Sequence, residues 1–133
     1  MTLVCPNSGE IILLKYIVGL VDAGNPVLHL YGNDVTPADT TVIGDLTECT
    51  SAGYAPVTLT SVNWTVVQDG LTGVTTAQYT QRSFAFSTAA RTYGYYVTDT
   101  SNNLLWLERF DGAPYVMPDD GGSVAVVPAL NLS

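Results

Sequence analysis

Charge is what this sequence has least of. Only 12% of its 133 residues are charged, about half the roughly 25% of an ordinary soluble domain. The cations are four in number, Lys15, Arg82, Arg91 and Arg109, and the 12 acids give a net charge of −8. Nucleic-acid backbones and anionic lipids are bound through basic clusters. We therefore expect neither nucleic acid nor a membrane surface as a partner.

Long hydrophobic runs are absent too. The longest apolar stretch, Ile11–Val21, is well short of the ~20 residues that span a bilayer. The N-terminal residues show no basic region followed by a cleavage site, so we expect a protein made and folded in a cytoplasm. Cys5 and Cys49 do not have the spacing of metal ligands. We expect free thiols in a reducing cytoplasm, with a Cys5–Cys49 disulfide as the alternative.

Residues for catalysis are equally scarce. Nucleophilic catalysis needs a base, and the single histidine, His29, has no motif around it that marks a nucleophile. Asp119 and Asp120 could form a carboxylate pair or a calcium site, but they lie in a glycine-rich turn and lack calcium-loop spacing. We expect no enzyme, no cofactor and no metal site, and we expect His29 to pack beside a strand or to lie at its surface.

Apolar residues are abundant, at 47% with a mean hydropathy of +0.24, which predicts one packed domain spanning residues 1–133. Helical spacing predicts a helix over about residues 8–22, capped by Ser8 and ending near Gly24. Two apolar stripes run along it: Ile11, Leu14, Val18 and Val21, and Leu13, Tyr16, Ile17 and Leu20. A helix apolar on most sides is buried on more than one. It is either a core helix on a sheet or an interface with another protein, and both alternatives stay open.

Strand patterns follow Pro26. About eight short runs, separated by turn residues, predict a mainly β fold, a β-sandwich of jelly-roll-like form with the single N-terminal helix. Residues 36–51 read as a long polar loop with at most one short strand at Thr41–Ile43. The final run, Ser123–Leu132, has an edge or a bulge indicated by Pro128.

The central element is a predicted hairpin over Arg91–Phe110, with its turn at Asp99–Asn103. Strict alternation in the second strand places Leu105 and Leu107 with Arg109 on one face. The other face then carries Leu104, Trp106, Glu108 and Phe110. Both faces are largely apolar, so we expect a second sheet to cover one and a helix or another protein to cover the other. Glu108 is expected to be ion-paired or hydrogen-bonded, because a carboxylate on an apolar face needs a partner, and Arg82 and Arg91 are the candidate partners.

Several strings resemble one class of protein. They are NSGEIILLKYIVG (7–19), YGYYVTD (93–99), LLWLERFDGAPYVMP (104–118) and SVAVVPALNLS (123–133). Together they resemble small virion proteins of tailed bacteriophages, especially cyanophages, and most of all capsid cement, or head decoration, proteins. The resemblance implies an oligomer, often a trimer, on the outside of a shell of major capsid protein. It supplies no motif that transfers a functional residue.

The resulting hypothesis is a virion structural protein on the capsid exterior that stabilises the phage head by bridging major capsid protein subunits. We expect a homo-oligomer, a trimer, docked through apolar contacts. The candidate interface residues are Leu13, Tyr16, Ile17, Leu20 and Trp106. The alternative is a carbohydrate- or receptor-binding module of a tail fibre or baseplate, which would place an aromatic groove near Trp64, Trp106 or Tyr115.

Overall fold

The structure, a computed structural model, describes residues 2–132. In that range the chain is mainly β and β-sandwich-like, with one N-terminal α-helix, as the sequence predicts. The helix is α1 (Asn7–Ile17), and the strands are β1 (Leu3–Val4), β2 (Val27–Tyr31), β3 (Val57–Thr58), β4 (Trp64–Gln68), β5 (Thr75–Tyr79), β6 (Arg82–Phe86), β7 (Ala90–Thr92), β8 (Gly94–Thr98), β9 (Leu104–Arg109), β10 (Tyr115–Met117), β11 (Gly122–Val126) and β12 (Ala129–Leu132). Short 3-10 turns lie at Ile43–Asp45 and Ser61–Asn63.

A five-stranded antiparallel sheet in the order β1-β9-β8-β2-β3 forms one layer. Facing it are a three-stranded sheet, β12-β5-β4, and two ribbons, β11-β6 and β10-β7. The last run breaks at Pro128 into β11 and β12, which pair in different sheets, since proline cannot donate to a ladder. The main core between the layers includes Leu28, Leu30, Tyr79, Phe84, Phe86, Tyr95, Val97, Trp106, Met117, Val124 and Val126.

The opposite face of the large sheet is covered by the chain itself. The loop that follows β2 packs Val35, Ile43 and Leu46 against this face. The side chains that it buries are Tyr31, Tyr96, Leu104 and Leu107. Arg109 fastens this loop, donating from Nη1 to Asp34 Oδ1 at 2.7 Å and to the Val35 carbonyl at 3.0 Å. The expectation of a helix or another protein on this face is therefore wrong. The long loop predicted over residues 36–51 has no strand at Thr41–Ile43, and a 3-10 turn spans Ile43–Asp45.

The hairpin is confirmed as β8 and β9, but its faces differ from strict alternation. Val97 lies opposite Trp106, whereas Thr98 lies opposite Leu104, so Leu105 is an extra residue in β9. Such a β-bulge shifts every residue before it to the other face. Leu104 therefore packs with Leu107, and Leu105 joins the main core. The predicted grouping of these two leucines is wrong for that reason.

The helix is shorter than predicted at its C-terminal end. It ends at Ile17, where the Leu20 N–H donates to the Lys15 carbonyl at 2.9 Å and the Gly19 N–H to the Tyr16 carbonyl at 3.1 Å. This Schellman motif requires a left-handed residue, and Gly19 has φ 75°. At the other end the N-cap is Pro6 and not Ser8. Val18–Val21 therefore lie beyond α1.

Glu108 is buried and hydrogen-bonded, as expected, but its partner is neither of the candidate arginines. The Tyr95 hydroxyl donates to Glu108 Oε2 at 2.7 Å, and within residues 2–132 neither Arg82 nor Arg91 forms an ion pair with it. A neutral phenol satisfies the carboxylate without burying a cation as well. Burial, followed by this hydrogen bond, raises the pKa of Tyr95 well above its usual range.

Candidate functional site

His29 is the first place to look for chemistry, because the structure gives both ring nitrogens a partner. Nδ1 lies 2.8 Å from Glu48 Oε1, and Nε2 lies 2.9 Å from Thr98 Oγ1. The ring stacks on Tyr96, with centroids 4.6 Å apart. A hydroxyl, an imidazole and a carboxylate in this order are the elements of a hydrolytic triad. The sequence does not reveal it, because Glu48 and Thr98 lie 19 and 69 residues away from His29.

This triad-like arrangement is closed to substrates. Thr98 is only 1% exposed, so its hydroxyl cannot meet a substrate while the sheet is intact. Glu48 Oε1 also accepts from the Tyr54 hydroxyl at 2.8 Å, and that hydroxyl accepts from the Leu30 N–H at 3.0 Å. The network ties the segment around Glu48 to β2 and β8, which is a packing role. That the protein is not an enzyme stays a prediction.

Other chemistry-bearing groups are dispersed. Between residues 2 and 132, no three His, Cys, Asp or Glu side chains are placed to hold a metal ion together. Asp119 and Asp120 are exposed in the turn before β11. Cys5 and Cys49 are free thiols, and burial raises the pKa of Cys49 to about 11. No helix in the described range is long and apolar enough to cross a membrane.

The candidate site is an apolar cleft between α1 and the three-stranded sheet, with a volume of about 230 Å³. Its lining is Leu13, Tyr16, Ala23, Gly24, Pro26, Trp64, Ala77, Leu105, Trp106 and Leu130. The Tyr16 hydroxyl is already engaged, since it donates to Asp99 Oδ2 at 2.8 Å. Burial and that hydrogen bond raise the pKa of Tyr16 to about 12. The cleft therefore offers apolar surface and little that a polar ligand could bind.

The helix wall of the cleft continues into exposed apolar surface. Leu13 and Tyr16 line the cleft, and Ile17 lies one helical turn beyond Leu13 on the same side. Ile17 is 77% exposed, and Leu20, in the turn leading to Ala23, is 75% exposed. Gly9 holds this wall against the large sheet, because a Cβ there would overlap the Leu105 carbonyl oxygen. The exposed leucine and isoleucine thus border a wall fixed by backbone packing.

The sheet wall continues outward in the same way. Ala77 of β5 lies between Val66 of β4 and Leu130 of β12 in the register. Residues directly opposite one another in antiparallel strands project to the same face, so Val66 belongs to the cleft face. Its side chain is 69% exposed. Both walls of the cleft therefore end in apolar side chains open to solvent.

The five interface residues expected from the sequence lie around this cleft. Leu13 and Tyr16 line it, Trp106 lies buried at its floor, and Ile17 and Leu20 stand at its margin. Trp106 therefore offers little surface of its own to a partner. Whether any of the five contacts one stays a prediction.

Sequence reasoning missed the sheet wall. Trp64 and Val66 are two residues apart, as are Leu130 and Leu132, so each pair indicates an apolar face on its strand. The pairing of β4 and β12 with β5 does not follow from that alternation, so the wall could not be assembled from it.

Comparison with protein-family models finds no family that matches this chain. No curated protein and no solved structure matches it either.

Proposed function

We propose that the protein is a virion structural protein, a capsid cement or decoration protein that stabilises a phage head by bridging major capsid protein subunits. The observation that carries this proposal is the apolar cleft, whose walls run out into exposed apolar side chains. The resemblance of the strings at 7–19, 93–99, 104–118 and 123–133 to cement proteins supports it. The site of action is the capsid exterior, after synthesis in the host cytoplasm.

Docking through apolar surface fits the charge of the chain. Copies carrying −8 each repel one another, so burial of apolar area must outweigh that repulsion. Burying a Leu or Ile side chain contributes about 1.5–3 kcal/mol, and interface cores favour apolar and aromatic residues over charged ones. Binding to the shell is therefore expected to persist in high salt. The oligomer that the resemblance implies is a trimer.

A carbohydrate-binding module is the second candidate, because Trp64, Trp106 and Tyr16 line the cleft. Stacking on a sugar needs an open aromatic face, however, and Trp106 is buried and meets Trp64 edge to face. Sugar hydroxyls also need polar partners, and the one hydroxyl in the lining is bonded to Asp99. An apolar segment of a capsid subunit fits this lining better than a glycan does.

The test is retention on purified phage heads that lack the protein. Ile17→Ser combined with Leu20→Ser removes apolar contact at the helix margin and leaves the core intact. We expect shell affinity to fall about tenfold or more, with the thermal midpoint little changed. Val116→Ser is the matched control, because Val116 is exposed on β10 and is not among the residues that line the cleft.

Two results would contradict the cement proposal: wild-type protein that never binds shells, or binding that disappears in high salt. If the double variant is fully retained on the heads, Ile17 and Leu20 do not contact the shell. A positive glycan array with no shell binding would favour the second candidate.

A further inference from the structure

We propose that the free edge of β4 pairs with β4 of a second copy of this chain. The two three-stranded sheets then form one six-stranded sheet around a two-fold axis. This inference concerns how copies associate with one another, and it stands whether or not the protein binds a capsid.

The hydrogen bonds of the β4-β5 ladder show which backbone groups are free. The Asp69 N–H donates to the Val74 carbonyl at 2.9 Å, and the Thr80 N–H donates to the Asn63 carbonyl at 3.2 Å. Alternate residues of an antiparallel strand bond to the same neighbour, so Thr65 and Val67 also bond to β5. The backbone groups of Val66 and Gln68 and the carbonyl of Trp64 therefore point outward, while the Trp64 N–H donates to Ser61.

This edge lacks the protection that natural sheets give to their edges. Exposed edges are normally short, bulged, or interrupted by lysine or proline. The large sheet follows that rule, because its edge strands β1 and β3 have two residues each. β4 has five residues, WTVVQ, with no charge, no proline and a regular register to β5. Val66 and Val67, on opposite faces, are both largely exposed.

A second copy is the occupant that β4 fits best. Antiparallel pairing centred on Val66 places Val66 against Val66, Thr65 against Val67, and Trp64 against Gln68. All five residues of β4 are then paired, and four hydrogen bonds form: two between the Val66 residues and two from Gln68 N–H to the Trp64 carbonyl. No acidic residue faces another, although each copy carries −8. The pairing is self-complementary, as a two-fold contact requires.

The pairing also orients the candidate site. Directly opposite residues project to the same face, and Val66 lies on the cleft face. The two clefts of a pair therefore lie on the same side of the joined sheet. A two-fold contact yields pairs, so the trimer implied by the resemblance is compatible with it only as two linked trimers.

Sedimentation over a range of concentrations measures the predicted association. Wild-type protein is expected as a dimer or a hexamer, and a monomer or an isolated trimer at high concentration would overturn the proposal. Val66→Pro removes the outward N–H without touching the ladder to β5. We expect it to weaken pairing about tenfold or more, since both central hydrogen bonds are lost. Val66→Ala keeps the N–H and is the matched control, expected to remain paired.

A charge exchange tests the register and guards against misfolding of the proline variant. Val66→Lys and Val66→Glu each place like charges opposite one another, so each alone is expected to be unpaired. Mixed together, they place opposite charges at the axis and are expected to form a mixed dimer. If each variant is folded and the mixture does not pair, the proposed β4 contact is wrong. Shell retention, measured separately, distinguishes this failure from failure of the capsid proposal.

Discussion

Two hairpins in this molecule have the same local design and opposite surroundings. In β4-β5 the Leu71 N–H donates to Asp69 Oδ1 at 2.8 Å, and in β8-β9 the Ser101 N–H donates to Asp99 Oδ1 at 2.9 Å. Every residue of β8 is buried, whereas β4 has four exposed residues out of five. Local sequence thus determines the turn and the strands of each hairpin. Whether the faces of the hairpin are buried depends on what the rest of the chain packs against them.

The difference has a physical consequence for where partners bind. Apolar area removed from water contributes about 25 cal/mol per Å², and the β8-β9 hairpin receives that contribution on both faces from its own chain. The β4-β5 hairpin and the outer side of α1 do not. Their exposed apolar side chains can be buried only by another molecule, which is the common basis of the two proposals.

The largest expected effect comes from a matched pair of leucines, one in each region. Leu107 in β9 is 0% exposed, and Leu132 in β12 is 69% exposed. Leu107→Ala should lower the free energy of unfolding by about 2–5 kcal/mol, because it leaves a cavity among Tyr31, Tyr96 and Leu104 under the loop. Leu132→Ala should change it by about 0.5 kcal/mol or less. Denaturant unfolding measures both.

Similar losses for the two leucines would contradict the comparison, since they would mean that β12 is already covered. The measurement should be made at a concentration where the protein is monomeric, because pairing of copies would stabilise the exposed sheet by mass action.

A smaller effect is expected where the helix meets the covered sheet. A Cβ on Gly9 would overlap the Leu105 carbonyl oxygen, whereas a Cβ on Gly44 would meet nothing within 4 Å. Gly9→Ala should therefore cost about 1–3 kcal/mol of unfolding free energy by forcing α1 away from β9. Gly44→Ala is the control and should be close to neutral. If Gly9→Ala is equally neutral, α1 does not rest on the bulge at Leu105.

The sequence predicts much of this fold and less of the candidate site. Period-two runs and turn residues correctly predict the β8-β9 hairpin and the mainly β class. The misses have local causes that periodicity does not contain. The bulge at Leu105 places Leu104 and Leu105 on the faces opposite to those that strict alternation predicts. The left-handed Gly19 ends α1 before residue 22. Gly19 was a readable stop signal within an otherwise continuous apolar pattern.

Coverage is the part that could not be predicted. The apolar faces of β8-β9 predicted a second sheet on one face and a helix or another protein on the other, but the loop containing Val35, Ile43 and Leu46 covers that other face. Most residues of that loop are polar, so its sequence does not indicate that three apolar side chains pack against the sheet. Conversely, nothing in WTVVQ distinguishes β4 from a core strand, because exposure depends on the position of β5 relative to the core.

The smallest expected effect concerns the two turn aspartates. Burial alone would raise the pKa of Asp99, but hydrogen bonds from Asn103, Tyr16 and Ser101 outweigh it and hold that pKa below its usual range. A lowered folded-state pKa stabilises the protein above the unfolded pKa of about 3.9, and this contribution is lost as the pH falls through the folded value. Asp99→Asn should therefore cost about 1 kcal/mol at neutral pH, and the gap to wild type should close in acid.

Asp69 supplies the control, because its pKa is also lowered, by the N–H groups of Leu71 and Thr72, but its carboxylate is fully exposed. Asp69→Asn should change stability in the same direction and by less, since water can replace those bonds and salt screens the charge. Unfolding curves from pH 7 down to about pH 3 compare the two variants. If Asp99→Asn and Asp69→Asn lower the free energy of unfolding equally, the two turns contribute equally to stability. Burial of the β8-β9 hairpin would then make no difference to its turn.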